Sequence, residues 1–331
     1  MAVSVNLSGI SAAMFAQKDA ASRINPIIGD CAKLPPDFCP MRRQFDDKNL
    51  YNGKLFSPGS EGTPRAADIQ QDSIGDCYFL SAIGSIAEQN PQAIKDSISY
   101  DPATKSFTVR MYKKELVGFH VETKEVYINV TQAELNYNLS RKGGSTIDNS
   151  VCKNGAAWPM VLETAYAKMN DSNPADGLKE GFDKIGEGGW PGDAMFTVTG
   201  KESHTVSFSS GFGSILDGFP KLQQEAVYQK VSGALAEGKP VTLSVHGESL
   251  LDQLMDKKDN LADNHAYMVT GIRKDANGEI MVTIRNPWAH NNDGEGTDSS
   301  NAEIEVKLSD LHASGTTSSF PDEHWGFEIG G

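Results

Sequence analysis

The chain has 331 residues, of which 38% are hydrophobic and 22% are charged, and this composition is typical of a soluble globular protein with about two lobes. The formal net charge of −14 argues against nucleic acid or an anionic membrane surface as a partner, because either would require a basic face. No apolar run approaches the roughly 18 residues that span a bilayer, and the N-terminus lacks the basic start of a secretory signal, so no membrane span is predicted.

The four cysteines contain no CxxC pair, and the seven histidines form no HxxxH or His-rich pattern. These spacings argue against a zinc site or a disulfide framework. Cys31, Cys39 and Cys152 are therefore interpreted as structural or incidental. Reduced thiols favour a cytoplasmic location by default, although export into another cell by a specialised route would leave no recognisable mark.

Residues 1–45 show little periodicity and are interpreted as an N-terminal extension of unknown role. The next stretch, residues 51–65, is rich in Gly, Ser and Pro and predicts an irregular approach to the following helix.

The stretch QDSIGDCYFLSAIGSIAE, residues 71–88, joins a Gly-Asp-Cys turn to apolar residues at helical spacing. It predicts a helix with Cys77 in its first turn and Asp76 or Ser73 as the cap. The positive end of a helix favours the thiolate, which is the nucleophilic form of cysteine. The amide of Gln71 lies close enough in sequence to join the Cys77 N–H on one oxygen, as an acyl-transfer oxyanion requires. A lone free cysteine is nevertheless more often a small buried apolar residue, so the rest of the chain has to supply a base.

Two alternating stretches, SFTVRMY and KEVYINV, predict paired strands between residues 105 and 130. Farther along, WPMVLETAYAK predicts a helix with Pro159 in its first turn, and its apolar face is expected to pack against the helix of Cys77.

The glycine-rich segment GEGGWPG, residues 186–192, lacks the preceding strand and the following helix that a dinucleotide-binding loop requires. A hinge, or a close approach of an extended ligand backbone to Gly188 and Gly189, is favoured instead. The composition shifts toward strands soon afterwards. The predicted division is therefore a helical subdomain at residues 46–195 and a β-rich subdomain at residues 196–331.

The second half predicts one helix at residues 222–237, ended by Gly238, and then the strands of an antiparallel sheet. These strands lie within PVTLSVH, HAYMVTGIRK, EIMVTIRNPW, AEIEVKL and HWGFEIG.

His265 begins one strand of a hairpin built on the turn DANG, and Asn286 follows the other strand. If the loop has an even number of residues, position 267 pairs with 286, and Asn286 shares a sheet face with His265. A carboxamide beside the imidazole fixes its tautomer and leaves the other ring nitrogen free to accept a thiol proton. The alternatives are an ordinary strand histidine and a polar strand end before Pro287.

Several separate motifs resemble those of the calpain family of papain-like cysteine proteases, in the family's order and over about residues 50–331. These motifs are QDSIGDC, WPMVLETAYAKMN with the later EGF, NHAYMVTG and RNPW. The resemblance implies an α+β, papain-like fold of two lobes, with the cysteine in a helical lobe and the histidine and asparagine in an antiparallel β-sheet lobe.

The resemblance also implies roles for individual residues. Cys77 would be the nucleophile, His265 the general base, Asn286 the orienting residue, and Gln71 an oxyanion-hole donor. The residues that would contact substrate are Gly188, Gly189, Asn264 and Trp288.

Two residues depart from the family pattern. Tyr78 stands where the family usually has Trp, and Asn264 stands where Gly usually precedes the histidine. Tyr78 keeps an aromatic ring, while Asn264 is expected to alter substrate fit more than chemistry.

The resemblance makes calcium a candidate ligand, although the chemistry itself requires no cofactor. Asp68 matches one carboxylate ligand of the family's first calcium site, whereas Asp176 matches its acidic partner only loosely. The loop with Asp293, Glu295 and Asp298 offers further hard oxygen ligands. The chain shows no EF-hand loop and resembles the protease core alone.

The sequence therefore predicts a calpain-like cysteine endopeptidase that cleaves proteins or peptides through a thioester intermediate; its regulatory partner is unknown. Two alternatives stay open: a non-catalytic protease relic that binds peptides, and a deamidase or transglutaminase that uses the same three residues.

Overall fold

The computed structural model describes residues 63–71, 74–140, 156–206, 221–245, 261–291, 301–311 and 326–331. The N-terminal extension and the acidic loop of Asp293, Glu295 and Asp298 lie outside these ranges. None of the helices in these ranges is long and apolar enough to cross a membrane.

The described residues combine short helices with antiparallel sheets, as in an α+β protein. In chain order the α-helices are α1 (Cys77–Gln89), α2 (Pro91–Ser97), α3 (Gln132–Ser140), α4 (Trp158–Asn170), α5 (Lys179–Ile185), α6 (Pro191–Thr199) and α7 (Lys221–Ala236). Two 3₁₀ turns, Ala66–Asp68 and Pro174–Asp176, complete the described helical segments. Proline occupies the first turn of α2, α4 and α6, where its missing N–H costs no helical hydrogen bond.

The strands form two antiparallel sheets. They are β1 (Ile98–Asp101), β2 (Ser106–Val117), β3 (His120–Thr131), β4 (Ser203–Val206), β5 (Val241–Val245), β6 (His265–Lys274), β7 (Ile280–Arg285), β8 (Glu303–Lys307) and β9 (Gly326–Gly330). The first sheet has the order β1-β2-β3, and the second has the order β4-β9-β5-β6-β7-β8. The predicted strand pair and the predicted hairpin are both confirmed.

Two apolar cores meet at strand β6. Ala266 and Met268 pack into a core formed by α1, α4, α6 and the first sheet. Their neighbours Tyr267 and Val269 pack into a second core with α7 and the other strands of the second sheet. Alternate side chains of one strand thus serve different cores, because successive residues of a strand point to opposite faces.

The glycine-rich segment differs from the prediction in one respect. A helix does follow it, since α6 begins at Pro191, although helix α5 rather than a strand precedes it. The absence of a preceding strand still argues against a dinucleotide loop. The predicted boundary between residues 195 and 196 falls inside α6, which packs against α1, β2, β4 and β9. The division into domains stays a prediction.

Candidate active site

Cys77 is the first residue of helix α1, as predicted, and its backbone follows Asp76 at the N-cap position. The predicted capping bond is not made: the Asp76 side chain gives no cap hydrogen bond, and its Oδ1 instead accepts from Gln71 Nε2 at 3.3 Å. Ser73 lies outside the described residues. The cap carboxylate therefore ties the Gln71 side chain to the start of the helix.

Helix α1 lies unusually close to the second sheet because one of its faces consists of small residues. Ser81 Oγ lies 2.7 Å from the carbonyl oxygens of both Cys77 and Ala266, and Ser85 Oγ donates to the Val241 carbonyl at 2.8 Å. Between them, Gly84 faces the strand so closely that a Cβ would overlap Met268 Sδ. These contacts fix the position of Cys77 relative to strand β6.

The Cys77 thiol is half-buried and faces the backbone of strand β6. Burial raises the pKa of the thiol to about 12, and the nearby Asp76 carboxylate acts in the same direction. The backbone N–H of Ala266, together with those of Tyr78 and Cys77, lowers the pKa but by less. The predicted ease of ionisation is therefore wrong for this structure, because loss of solvent outweighs the helix end.

The His265 imidazole and the Asn286 carboxamide form a buried hydrogen-bonded pair, with 2.9 Å between Nε2 and Oδ1. Because a carboxamide oxygen only accepts, Nε2 carries the ring proton and Nδ1 has a free lone pair. That lone pair is what a general base needs to accept a thiol proton.

The pairing of the two strands puts these residues together. Near the site, Met268 pairs with Arg285 and Val269 with Ile284, so the same register, continued by one residue, places position 267 opposite 286, as predicted. Near the turn the register differs by one residue, with Lys274 opposite Ile280, and an irregularity between Val269 and Gly271 joins the two registers.

The Trp288 indole covers the His265 ring, with 4.3 Å between ring centroids. Its backbone N–H also donates to Asn286 Oδ1 at 3.0 Å. Burial lowers the pKa of His265 to about 4, although the hydrogen bond with Asn286 acts in the opposite direction. Both the imidazole and the Cys77 thiol are thus neutral at neutral pH.

In the described part of the chain, no hydrogen bond joins the Cys77 thiol to the His265 ring. The backbone of Ala266, the residue after His265, does contact this helix: its N–H contacts the sulfur and its carbonyl accepts from Ser81. The structure therefore places the two groups on adjoining elements and leaves the proton on the sulfur.

Gln71 lies beside the same site and is itself buried. Its backbone N–H donates to the Pro287 carbonyl at 2.6 Å, and its Nε2 donates to the Ile74 carbonyl at 2.6 Å. The second bond of Nε2, to Asp76, is long at 3.3 Å and is the weaker of the two. The role of Gln71 as an oxyanion-hole donor stays a prediction.

The two predicted substrate glycines have different surroundings. Gly188 has a φ of 96° and open space where a side chain would be, so its backbone is accessible to a ligand. A Cβ on Gly189 would lie only 2.6 Å from the Tyr78 ring, so the lack of a side chain there serves packing against that ring. Exposed Asn264 precedes His265 with a φ of 51°. Contact of Gly188, Gly189, Asn264 or Trp288 with substrate stays a prediction.

Asp68 is fully buried, and its carboxylate is used within the protein. Its Oδ2 accepts from the Trp158 indole at 2.8 Å and from the Arg65 backbone N–H at 3.1 Å. Asp176 caps helix α5 by accepting from the N–H groups of Lys179 and Glu180. Among the described ranges, no group of three or more His, Cys, Asp or Glu side chains could hold a metal ion. Calcium binding at Asp68 stays a prediction.

Sequence reasoning missed Asn291 and the small face of α1. Ser81, Gly84 and Ser85 recur at helical spacing in an otherwise apolar helix, and that pattern was a usable signal of close packing. Asn291 lies in a polar loop, and only the folded chain shows that it contacts Asn286.

Comparison with family models matches residues 50–318 to the family described as calpain family cysteine protease. Calpain-8 of Rattus norvegicus is 25% identical over 262 residues, which cover 77% of this chain and 30% of that protein. A thiol protease of Porphyromonas gingivalis is 26% identical over 256 residues, which cover 75% of this chain and 50% of that protein. The calpain-type cysteine protease DEK1 of Zea mays is 25% identical over 239 residues, covering 71% of this chain and 9% of that protein.

The matched region of this chain thus spans half or less of the length of these relatives. The family match, in contrast, covers most of the chain and includes every element that carries a candidate site residue. The chain belongs to the calpain family of cysteine proteases.

Proposed function

We propose that this chain is a cysteine endopeptidase that hydrolyses protein substrates through Cys77, His265 and Asn286. The observation that carries the proposal is the buried His265–Asn286 pair, which presents a free ring nitrogen on the strand against which the Cys77 helix is fixed. The two-lobe, papain-like arrangement is part of this proposal, and it is supported by the two apolar cores that meet at β6.

In the proposed reaction, the Cys77 thiol gives its proton to Nδ1 of His265 while the sulfur attacks the peptide carbonyl carbon. The oxyanion accepts hydrogen bonds from the Cys77 backbone N–H and from Gln71 Nε2, which exchanges its weaker bond to Asp76 for the new one. Breakage of the C–N bond transfers the imidazolium proton to the leaving amine and leaves a thioester. Water then attacks the thioester with His265 as base, and the acid product and the thiol are released.

The neutral thiol raises the energetic demand on the first step. Proton transfer from a group with a pKa of about 12 to one with a pKa of about 4 is unfavourable in the substrate-free state. Bound substrate therefore has to stabilise the ion pair, through closer approach of the two groups and through the oxyanion donors. The rate at which a peptide electrophile alkylates Cys77 measures how far a bound peptide promotes this proton transfer.

Replacement of Cys77 by Ala should abolish cleavage of denatured casein without loss of the fold, as followed by gel electrophoresis and circular dichroism. The change removes the only atom that forms the thioester. Cys152→Ala is the matched control, since it removes a thiol that the mechanism does not use, and it should cleave casein at the wild-type rate. Cleavage retained in Cys77→Ala would exclude Cys77 as the nucleophile.

A second candidate function, a non-catalytic peptide binder, is favoured by one observation: the thiol is neutral and makes no hydrogen bond to the His265 ring within the described residues. A peptide chloromethyl ketone separates the two functions. If His265 accepts the thiol proton, His265→Ala should slow alkylation of Cys77 by a large factor; in a relic both proteins should react at the same slow rate.

Deamidation and transglutamination use the same acyl chemistry, so they are distinguished by their products. Mass spectrometry of the treated casein should show new termini if the chain hydrolyses peptide bonds. A shift of about one dalton or a crosslink, without new termini, would assign the thioester to another acyl transfer.

A further inference from the structure

We infer that Asn291 is a positioning residue, which sets the tautomer of His265 by orienting the carboxamide of Asn286. The inference rests on the proposed function of His265 as general base. It concerns a side chain that lies outside the set predicted from the sequence.

Two backbone carbonyls, which can only accept hydrogen bonds, fix the orientation of the Asn291 side chain. Asn291 Nδ2 donates to the Asn301 carbonyl at 2.7 Å and to the Ala302 carbonyl at 3.2 Å. Because both partners only accept, the NH₂ group of Asn291 has to face them, and its Oδ1 has to face the other way. The side chain is only 3% exposed, so water does not compete freely for either end.

The fixed oxygen of Asn291 then determines how Asn286 can lie. Asn286 Nδ2 donates to Asn291 Oδ1 at 3.3 Å, and the Asn286 backbone N–H donates to the Ala302 carbonyl at 2.9 Å. With its NH₂ group held by Asn291, the Asn286 carboxamide can only turn its oxygen toward His265. With Asn291 fixed, a flipped Asn286 carboxamide would set two oxygens against one another.

The orientation of Asn286 in turn determines the tautomer of the His265 imidazole. Its Nε2 lies 2.9 Å from Asn286 Oδ1 and therefore carries the proton. If Asn286 were flipped, Nε2 would have to accept from the NH₂ group, and the proton would move to Nδ1. That tautomer has no lone pair on Nδ1 for the thiol proton, so it is the inactive one.

The Trp288 backbone N–H also favours the same orientation, since it donates to Asn286 Oδ1 at 3.0 Å. Loss of Asn291 should therefore weaken the preference without removing it. Errors in the orienting residue of a serine protease triad cost about 10⁴ in kcat, and the effect expected here is smaller, roughly ten- to hundred-fold.

The test uses Asn291→Leu, which is similar in shape and has no hydrogen-bonding group, and Asn291→Ser, which is smaller and easier to accommodate. In both variants we expect kcat against a peptide substrate to fall roughly ten- to hundred-fold with KM nearly unchanged. Nitrogen-15 NMR of histidine-labelled protein should show His265 as the Nε2–H tautomer in the wild type and as a mixture in the variants. His265→Gln identifies the resonance.

Asn138→Leu is the matched control, because Asn138 is also a fully buried carboxamide but bonds to Glu163 and Thr164, away from His265. It should lower the melting temperature while leaving the His265 tautomer and kcat as in the wild type. The tautomer can be read without catalysis, so failure of the proposed peptidase activity would not affect this result. A wild-type tautomer and wild-type kcat in a folded Asn291 variant would overturn the inference.

Discussion

The backbone φ angle of Asn264 explains why asparagine can stand where the calpain family usually has glycine. Its φ of 51° lies in the left-handed region, which glycine enters freely and which asparagine tolerates better than most residues. The exposed side chain leaves the backbone path into His265 unchanged. The substitution therefore preserves the turn that starts strand β6, and its side chain is free to influence substrate fit.

The buried imidazole makes the stability of the protein depend on pH. Because the pKa of His265 is lowered to about 4, the unfolded chain binds this proton more tightly than the folded chain does. The stabilisation is complete above the unfolded pKa of about 6.5 and is lost as the pH falls toward 4. Over that interval, the wild type should lose about 3 kcal/mol more of its free energy of unfolding than His265→Gln does.

Urea unfolding of both proteins at pH 7.5 and pH 4.5 measures this difference, and the other titrating groups cancel in the comparison. Equal losses in the two proteins would mean that the ring is solvated and not buried. Protonation also removes the lone pair on Nδ1, so activity should decline over the same acidic range in which the ring becomes charged.

The position of Cys77 in the first turn of a helix was predictable from the sequence, whereas the pKa of its thiol was not. A Gly-Asp-Cys turn before an apolar segment predicts that Cys77 lies at the start of a helix, because capping and periodicity are local signals. The pKa depends instead on atoms distant in sequence, above all those of strand β6 that exclude water from the thiol. Asn291 was not predictable for the same reason.

At the scale of elements, the hairpin of β6 and β7 reaches the predicted register through a bulge. The loop between Lys274 and Ile280 has an odd number of residues, contrary to the assumption of an even loop. Continued unchanged, that register would pair Asn286 with Met268 and put it on the opposite face from His265. The irregularity at Thr270 adds one residue and restores the shared face.

The sequence pattern of these two strands predicts the hairpin but not the bulge. Alternating apolar residues and the turn DANG were sufficient to predict the hairpin. The bulge has no comparable pattern, since Thr270 differs little from its neighbours in strand propensity. The predicted proximity of His265 and Asn286 was thus right although one of its premises was wrong.

Replacement of glycine by alanine should have opposite effects in helix α1, which contacts the sheet closely, and in helix α7. Gly84→Ala would put a Cβ against Met268 Sδ and Ile69, so it should destabilise the fold by about 1–2 kcal/mol and lower kcat by moving Cys77 away from His265. Gly233→Ala, in helix α7 with nothing nearby, should instead stabilise by about 0.5–1 kcal/mol.

Thermal unfolding and peptidase assays of the two variants measure both effects. A stabilised and fully active Gly84→Ala protein would show that the helix is free to move and does not set the position of the sulfur.

At the scale of the whole molecule, Asp68 connects segments that are distant in sequence. It accepts from Trp158 of helix α4, and its charge acts on the half-buried Arg285, which precedes Asn286. Arg285 also donates to the Ala66 carbonyl at 3.1 Å. The carboxylate thus stabilises the approach to helix α1 and the end of strand β7 together.

Asp68→Asn keeps an oxygen for the Trp158 indole but removes the negative charge near Arg285. Because Glu303 and Glu88 also act on Arg285, removal of this one charge should lower the free energy of unfolding by only about 1 kcal/mol. We expect the same loss in excess calcium and in excess chelator, because Oδ2 of Asp68 is held by the Trp158 indole and the Arg65 backbone N–H. Calorimetry under both conditions measures it, with Trp158→Phe as the variant that removes only the indole donor.

A loss that appears only with calcium present would instead make Asp68 a calcium ligand. Peptidase activity titrated with calcium then reports separately on whether the ion regulates the chain.

Strand β6 belongs to both apolar cores, and this shared membership constrains how the protein can come apart. Disruption of packing on either side removes half of the anchorage of the same imidazole. Loss of packing on one side would therefore displace the imidazole even where the other core keeps its structure. A proteolytic cut or a bound inhibitor that disturbs one core should therefore abolish activity before the other core unfolds.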